Sequence, residues 1–297
     1  MKIQEIGEKI FRIEVPVPVN IETVNVYLFT GRVPTLLDCG TNTRGCLRDI
    51  RKALQDLGVR ELSQVLLTHS HVDHAGGARE LARDGAKVYL SEVEFRDWVS
   101  FTDAQGIENT HGKIYREWGV PEGEVPGILD IYHKLLSLTT SPPEVSFIEP
   151  TRQIPAGDYV LQAIPTPGHT PGHLAFYLDS FGLLFSGDQL LPEQVPFPGA
   201  WLEEGRIVSG LPHYIDSLTT LEQLQAHAYF PSHGEPRENP SRRCREVREI
   251  IYRQARSYSP RETVYRGATA GRPAGANPGK LFLKLHNVFG WETLQQA

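Results

Sequence analysis

Four side chains able to bind a metal ion, His69, His71, Asp73 and His74, fall within six residues of one another. They account for three of the chain's eleven histidines. The apolar run Val65-Leu66-Leu67 precedes them and reads as a buried strand that stops where the polar residues begin. In extended backbone, residues two apart point the same way, so His69 and His71 converge on one ion. Asp73 and His74 follow at the turn into the next helix and are aimed at a neighbouring position. Gly76 and Gly77 are expected to let the backbone pass close to whatever is bound. Clustered imidazole and carboxylate at this spacing is the donor chemistry of a divalent metal site. Three further residues of the same chemistry, His169, Asp188 and His233, each follow a short apolar strand in a turn containing glycine.

The elements that would position these residues are those of an α/β layered domain. Strands are expected where Phe11, Ile13 and Val15 alternate, where Val24, Val26 and Leu28 alternate, and over Thr35-Leu36-Leu37. Pro16 and Pro18 suit a strand edge or junction. Leu47, Ile50, Ala53, Leu54 and Leu57 recur at helical spacing, predicting a helix over about 43–57 that stops at Gly58. The ligand-bearing strand leads to a short helix over roughly 75–84 and a strand at Lys87-Val88-Tyr89-Leu90. Residues 91–150 differ in character, with Phe95, Trp98, Phe101, Tyr115, Trp118 and Tyr132 and helical periodicity around 125–138. An insertion of this size reads as a helical cap, or as helices packed outside the scaffold. Strands resume over 159–164, 173–178 and 183–185. A helix at about 213–226, a strand at 228–230 and an arginine-rich helix over 240–258 follow. The expected organisation is a catalytic domain over 1–258, with the cap at 91–150, and a C-terminal helical extension over 259–297.

Composition narrows the function classes. A chain of 297 residues, 40% hydrophobic and 22% charged, has the make-up of a soluble globular protein. A formal net charge of −6 disfavours a surface built wholly for nucleic acid. No apolar run reaches the length needed to span a bilayer, and the first residues carry no apolar signal core, so a cytoplasmic location with no membrane partner is expected. Cys39, Cys46 and Cys244 form neither a disulfide framework nor a CxxC pair.

The set HxHxDH at 69–74, Pro167-Gly168-His169, Ser186-Gly187-Asp188 and His233-Gly234 resembles the metallo-β-lactamase superfamily. Asn25-Val26-Tyr27 and Leu37-Asp38-Cys39-Gly40 are similar to that family's early strands. The resemblance implies an αββα sandwich with two divalent metal ions in a groove at one edge. It places His69, His71 and His169 on the first ion, Asp73, His74 and His233 on the second, and Asp188 between the two. Asp73 is also the residue expected to orient the nucleophile or receive its proton. Zinc is the default by ligand type, with iron or manganese as alternatives. A bound metal can lower the pKa of water to about 7, so a hydroxide bridging two ions is the expected nucleophile. Asp38 either receives a hydrogen bond from a ligand imidazole or ends its strand as a turn residue. Two departures from the family pattern stand out. Ser232 replaces the glycine often found before the last ligand histidine, and Leu191 stands where lactonase-like members carry a tyrosine.

The run from Ser186 to Pro192, with Pro212 to Leu218, looks like the glyoxalase II-like branch, which implies hydrolysis of a thioester or related ester. The cap aromatics and the segment Pro196 to Trp201 would then form an apolar acyl or aryl pocket. His213 and Tyr214 are weaker candidates. Two alternatives stand beside this reading. One is a metal-dependent ribonuclease or phosphodiesterase, with Arg242, Arg243, Arg245, Arg248, Arg253 and Arg256 as a phosphate-binding helix face. The other is a mononuclear iron enzyme that oxidises persulfides. The same arginines suit an anionic small-molecule substrate, or a solvated helix face interleaved with Glu246 and Glu249. A homo-oligomer is compatible with the sequence.

Overall fold

Two runs of alternating apolar residues open the chain and pair as antiparallel strands in the computed structural model, which describes residues 1–18 and 23–257. They are the second and third strands of a seven-stranded sheet, β1 (Lys2–Gly7), β2 (Ile10–Pro16), β3 (Thr23–Phe29), β4 (Thr35–Leu37), β5 (Gln64–Leu66), β6 (Lys87–Leu90) and β7 (Val145–Phe147). Pro16 sits at the end of β2, where no further ladder bond is needed. Pairing is antiparallel from β1 to β4 and parallel from β4 to β7. Parallel neighbours require crossovers, and helices supply them. The first is α1 (Arg44–Asp56), capped by the Thr43 hydroxyl accepting from Cys46 N at 3.3 Å. Its inner stripe is Cys46, Ile50 and Ala53.

The second sheet contains β8 (Gln153–Ala156), β9 (Tyr159–Pro165), β10 (Leu174–Leu178), β11 (Leu183–Gly187), β14 (Ala228–Pro231) and β15 (Arg237–Glu238), in the order β15-β14-β11-β10-β9-β8. A separate hairpin, β12 (Ala200–Glu203) and β13 (Arg206–Ser209), lies between β11 and β14 in sequence. The two sheets face each other across a core of Tyr27, Phe29, Leu37, Leu66, Phe176, Phe185 and Phe230. On the far side of the first sheet, Ile13, Val15 and Val65 pack with Ile50, Ala53 and Leu81. On the far side of the second, Ala175, Tyr177 and Leu184 meet Tyr214 and Leu218 of α8 (Gly210–Glu222) and Val247 and Ile251 of α9 (Pro240–Ser257). β10 shows why its sequence is apolar throughout. Leu174, Phe176 and Leu178 enter the inter-sheet core, while Ala175 and Tyr177 enter the outer one. Each large side chain so buried contributes roughly 1.5–3 kcal/mol. The architecture is an αββα sandwich.

Between β5 and β6 the chain forms α2 (Val72–Ala75) and α3 (Ala78–Arg83), not the single helix expected over 75–84. Between β6 and β7 come α4 (Glu92–Ser100), α5 (Ala104–Ile107), a π-helical turn at Glu108–Gly112, α6 (Lys113–Glu117) and α7 (Val125–Leu135). This helical stretch has its own small core of Ile107, Tyr115, Val120, Val125 and Leu129. The 91–150 stretch also contains β7, which returns to the scaffold as the edge of the first sheet. The extension expected over 259–297 lies outside the described residues. Among the described residues, no helix is long and apolar enough to cross a membrane.

Candidate metal centre

The seven residues singled out by type and spacing meet at one rim of the sandwich, in two groups. His69, His71, His169 and Asp188 each offer an atom within 4.8 Å of the others, and so do Asp73, His74 and His233. Their positions follow from where strands end. The His69 loop leaves β5, the His169 loop leaves β9, Asp188 follows β11 and His233 follows β14. Strand ends expose backbone and side chains that no ladder constrains, so they can converge there. Asp73 and His74 lie inside α2 and fall in the second group, although the His74 ring centroid is 4.0 Å from that of His69.

In the first group the ring nitrogens crowd together. His71 Nδ1 lies 2.9 Å from His69 Nε2 and 3.1 Å from His169 Nε2. In the second, His233 Nε2 lies 3.2 Å and His74 Nε2 3.6 Å from Asp73 Oδ2. Asp188 stands between the groups. Its Oδ2 is 3.6 Å from His169 Nε2 and 3.5 Å from His74 Nε2, and its Oδ1 is 3.5 Å from His233 Nε2.

The outer ring nitrogens are anchored, which fixes the direction of the inner lone pairs. His169 Nδ1 donates to Phe197 O at 2.9 Å, and His233 Nδ1 donates to Thr23 O at 3.0 Å. His74 Nδ1 donates to Asp38 Oδ2 at 2.9 Å. His69 Nδ1 donates to Thr68 Oγ1 at 2.9 Å, and that hydroxyl donates to Asp38 Oδ2 at 2.9 Å. Asp38 thus orients one imidazole of each group, resolving its two readings in favour of the acceptor. It does so from a left-handed backbone conformation, φ 58°, that aspartate tolerates better than most residues.

These tautomers leave lone pairs of His69, His74, His169 and His233 directed inward. His74 Nε2, His233 Nε2 and Asp188 Oδ1 are buried without a hydrogen-bond partner. Buried polar atoms of this kind are costly unless satisfied. Inward imidazole nitrogens and carboxylate oxygens with anchored outer atoms are a donor set that fits divalent metal ions.

Electrostatics support the same division. Burial, reinforced by neighbouring imidazoles, holds His69 and His173 well below the ordinary imidazole value, and burial lowers His169. His74 and His233 go the other way: burial opposes their charge, but Asp73 and Asp188 outweigh it and raise both. Against the same opposing burial, Asp73 and Asp188 are held below the usual carboxylate range, chiefly by His74 and His233.

The metallo-beta-lactamase superfamily pattern matches residues 19–233. The chain belongs to this superfamily. It is 30% identical over 247 residues to the probable metallo-hydrolase YqjP of Bacillus subtilis strain 168, an alignment covering 77% of this chain and 72% of that protein. It is 25% identical over 272 residues to the lactamase-like protein aptB of Emericella nidulans, covering 91% of this chain and 68% of that protein. A metallo-beta-lactamase family protein of Thermus thermophilus superposes with a TM-score of 0.74 at 26% identity, over 89% of this chain and 85% of the other. Membership of the metallo-beta-lactamase superfamily implies divalent metal binding, and the two His/Asp clusters described above could hold such ions.

Several expectations change in detail. A Cβ on Gly76 would collide with Val72 O and Leu138 O, and one on Gly77 would meet Cys39 O at 2.6 Å. These glycines therefore let backbone segments pack against each other rather than clear space for a ligand. Ser232 has no left-handed backbone strain, and its hydroxyl adds a 3.4 Å bond to Asp38. Leu191 is buried. Tyr214 is fully buried and donates to Gln189 O at 2.9 Å, so it supports the turn after Asp188. Phe197 packs against the helical core of the 92–138 stretch, and Trp201 stacks near His213 at 5.5 Å.

Sequence reasoning missed His173. It is completely buried, its Nδ1 donates to Thr166 Oγ1 at 2.8 Å, and its Nε2 accepts from Asp188 N at 3.2 Å. It thereby fixes the backbone that carries Asp188. A second histidine in the same Gly-containing loop as His169 was the available signal. The loop of His233 is held in turn by Asn25 Nδ2, donating to Pro231 O at 3.0 Å and Gly234 O at 2.8 Å, and by Tyr27 OH, donating to Pro231 O at 2.6 Å.

Proposed function

We propose that the chain is a binuclear metal-dependent hydrolase acting on a thioester or related ester. The observation that carries this reading is the pair of donor groups with Asp188 between them. His69, His71 and His169 would hold one ion and Asp73, His74 and His233 the other, with Asp188 within reach of both groups. When bound, the metals, zinc by donor type, polarise the substrate carbonyl and make water nucleophilic at neutral pH. The chain's own residues do the rest. Asp38 keeps the His69 and His74 rings in the orientation that presents Nε2, and Phe197 O and Thr23 O do the same for His169 and His233. Asp73, held as a carboxylate, would accept a hydrogen bond from the attacking water and orient it, the role its lowered pKa favours over taking the proton.

The thioester class rests on the likeness of the 186–192 and 212–218 segments to glyoxalase II-like hydrolases, and on Leu191 in place of a lactonase tyrosine. The helical stretch within 91–150 is proposed as the cap that selects a small thioester substrate. The nuclease alternative loses support because four arginines of α9 have partners within the fold. Arg245 and Arg248 bind Glu222, Arg242 binds Glu246, and Arg243 donates to Leu191 O and Gln194 O. The complete Asp73, His74 and His233 group favours two ions over a single iron.

The test is metal analysis followed by a substrate panel. Two ions per chain and turnover of thioesters above lactones, β-lactams, phosphodiesters and RNA are expected. Preferential cleavage of RNA, or one iron per chain, would overturn the assignment.

A further inference from the structure

Besides Asp38, a second heavily bonded acid at this rim lies outside the seven. Glu94 lies on α4, one turn into the helical stretch, and its side chain is 0% exposed. One carboxylate oxygen, Oε1, accepts from Ser70 N at 2.9 Å and Ser70 Oγ at 2.8 Å. The other, Oε2, accepts from Thr170 Oγ1 at 2.9 Å and Gly172 N at 2.9 Å. Ser70 stands between His69 and His71, and Thr170 follows His169. The two oxygens therefore divide their four donors evenly between the two loops that supply the first donor group. Ser91 strengthens the junction. Its hydroxyl caps α4, accepting from Glu94 N at 3.1 Å, and donates to Gly172 O at 2.7 Å. A Cβ on Gly172 would meet Glu94 N at 2.5 Å, so the helix end docks directly on the His169 loop.

We propose that Glu94 is a positioning residue for the metal centre. It sets the spacing of the His69–His71 loop against the His169 loop, and so makes the first helix of the cap a structural part of the site. This rests on the reading of His69, His71 and His169 as one ligand set. The chemistry requires a carboxylate. A glutamine in the same place offers one oxygen, and its NH2 faces a hydroxyl, which can turn to accept, and a backbone N–H on the same loop, which cannot. Buried donors left in that way are costly, and the loop relaxes to escape them. A relaxed loop moves a ligand nitrogen relative to its partners.

The experiment uses the full chain, with zinc affinity measured by chelator competition and the centre reported by the absorption spectrum of the Co2+-substituted protein. Glu94→Gln is expected to weaken binding of one ion roughly 10–100-fold and to change the Co2+ spectrum. Glu92→Gln, on the same helix but exposed and paired with Arg96, is expected to match the wild type. Thr170→Val removes one donor to Glu94 without adding bulk. It should give a smaller change in the same direction, with the double variant no weaker than Glu94→Gln alone. Wild-type affinity and spectrum in Glu94→Gln overturn the proposal, even if stability falls, because packing alone would then account for the residue. If Glu94→Gln does not fold, Thr170→Val decides in the same way. A wild-type protein that takes up no metal defeats the ligand assignment itself, a result distinct from any behaviour of Glu94.

Discussion

At the rim of the sandwich, the seven donor residues arrive on four separate segments, and nearly every outer atom is tied to backbone or to Asp38. The helical stretch between β6 and β7 is one contiguous piece, and many of its polar groups bond one another. Tyr115 OH and Tyr132 OH lie 2.6 Å apart, His111 stacks on Tyr132 with centroids 4.3 Å apart, and burial lowers His111 to about 4. The difference teaches where precision is required. Metal ligation tolerates little displacement, so its residues are braced from several directions by the two sheets. The helical stretch, proposed as the cap that selects the substrate, is built instead on a small aromatic core of short helices. Glu94 is where the two regions are joined.

The sharpest way to break this comparison is at the shared ligand. Asp188→Ala should drop metal content below one ion per chain and turnover roughly 1000-fold or more, since both donor groups lose an oxygen. Retention of two ions would remove Asp188 from its bridging role. Asp38→Ala touches no substrate, yet it frees His74 and, through Thr68, His69. A loss of roughly 10–100-fold in metal affinity is expected, measured by chelator competition; an unchanged affinity would mean the rim is not braced through Asp38.

The third prediction concerns pH. His173 is buried neutral, with its folded pKa depressed below the unfolded value. The unfolded chain therefore binds the extra proton below about pH 6.5, and stability attached to His173 is present above that pH and lost as pH falls. In metal-free protein, the stability gap between wild type and His173→Gln should narrow by up to about 1.4 kcal/mol per pH unit below pH 6.5. A gap that widens on acidification would mean that His173 is charged in the fold. The smallest effect is expected in the cap. Tyr132→Leu should change relative kcat/KM among thioesters roughly three- to ten-fold and leave metal content unaltered. Loss of metal in that variant would show that the aromatic core of the cap, and not only Glu94, supports the centre.

Much of this molecule was legible before folding was considered. The HxHxDH run, the glycine turns at 168, 187 and 234, and the apolar strands before them carry their meaning in local spacing. The helix at α1 was likewise readable, because Leu47, Ile50, Ala53, Leu54 and Leu57 recur at helical spacing before Gly58. The support shell was not. Thr68, Ser70, Glu94 and His173 are ordinary polar residues in sequence, and Glu94 stands 24 residues from Ser70 and 76 from Thr170. The arginines of α9 read equally as a binding face or a solvated one. Their partners Glu222 and Leu191 O come from distant parts of the chain.

The sequence by itself determined the donor set and the class of chemistry, because residue type and short spacing suffice to say what can bind a metal and on which side of a strand it emerges. Tertiary structure alone decided how the donors are braced. The start of α2 at Val72, the crossing of two sheets at one rim and the reach of Asp38 and Glu94 across the chain depend on non-local packing, which no local pattern encodes.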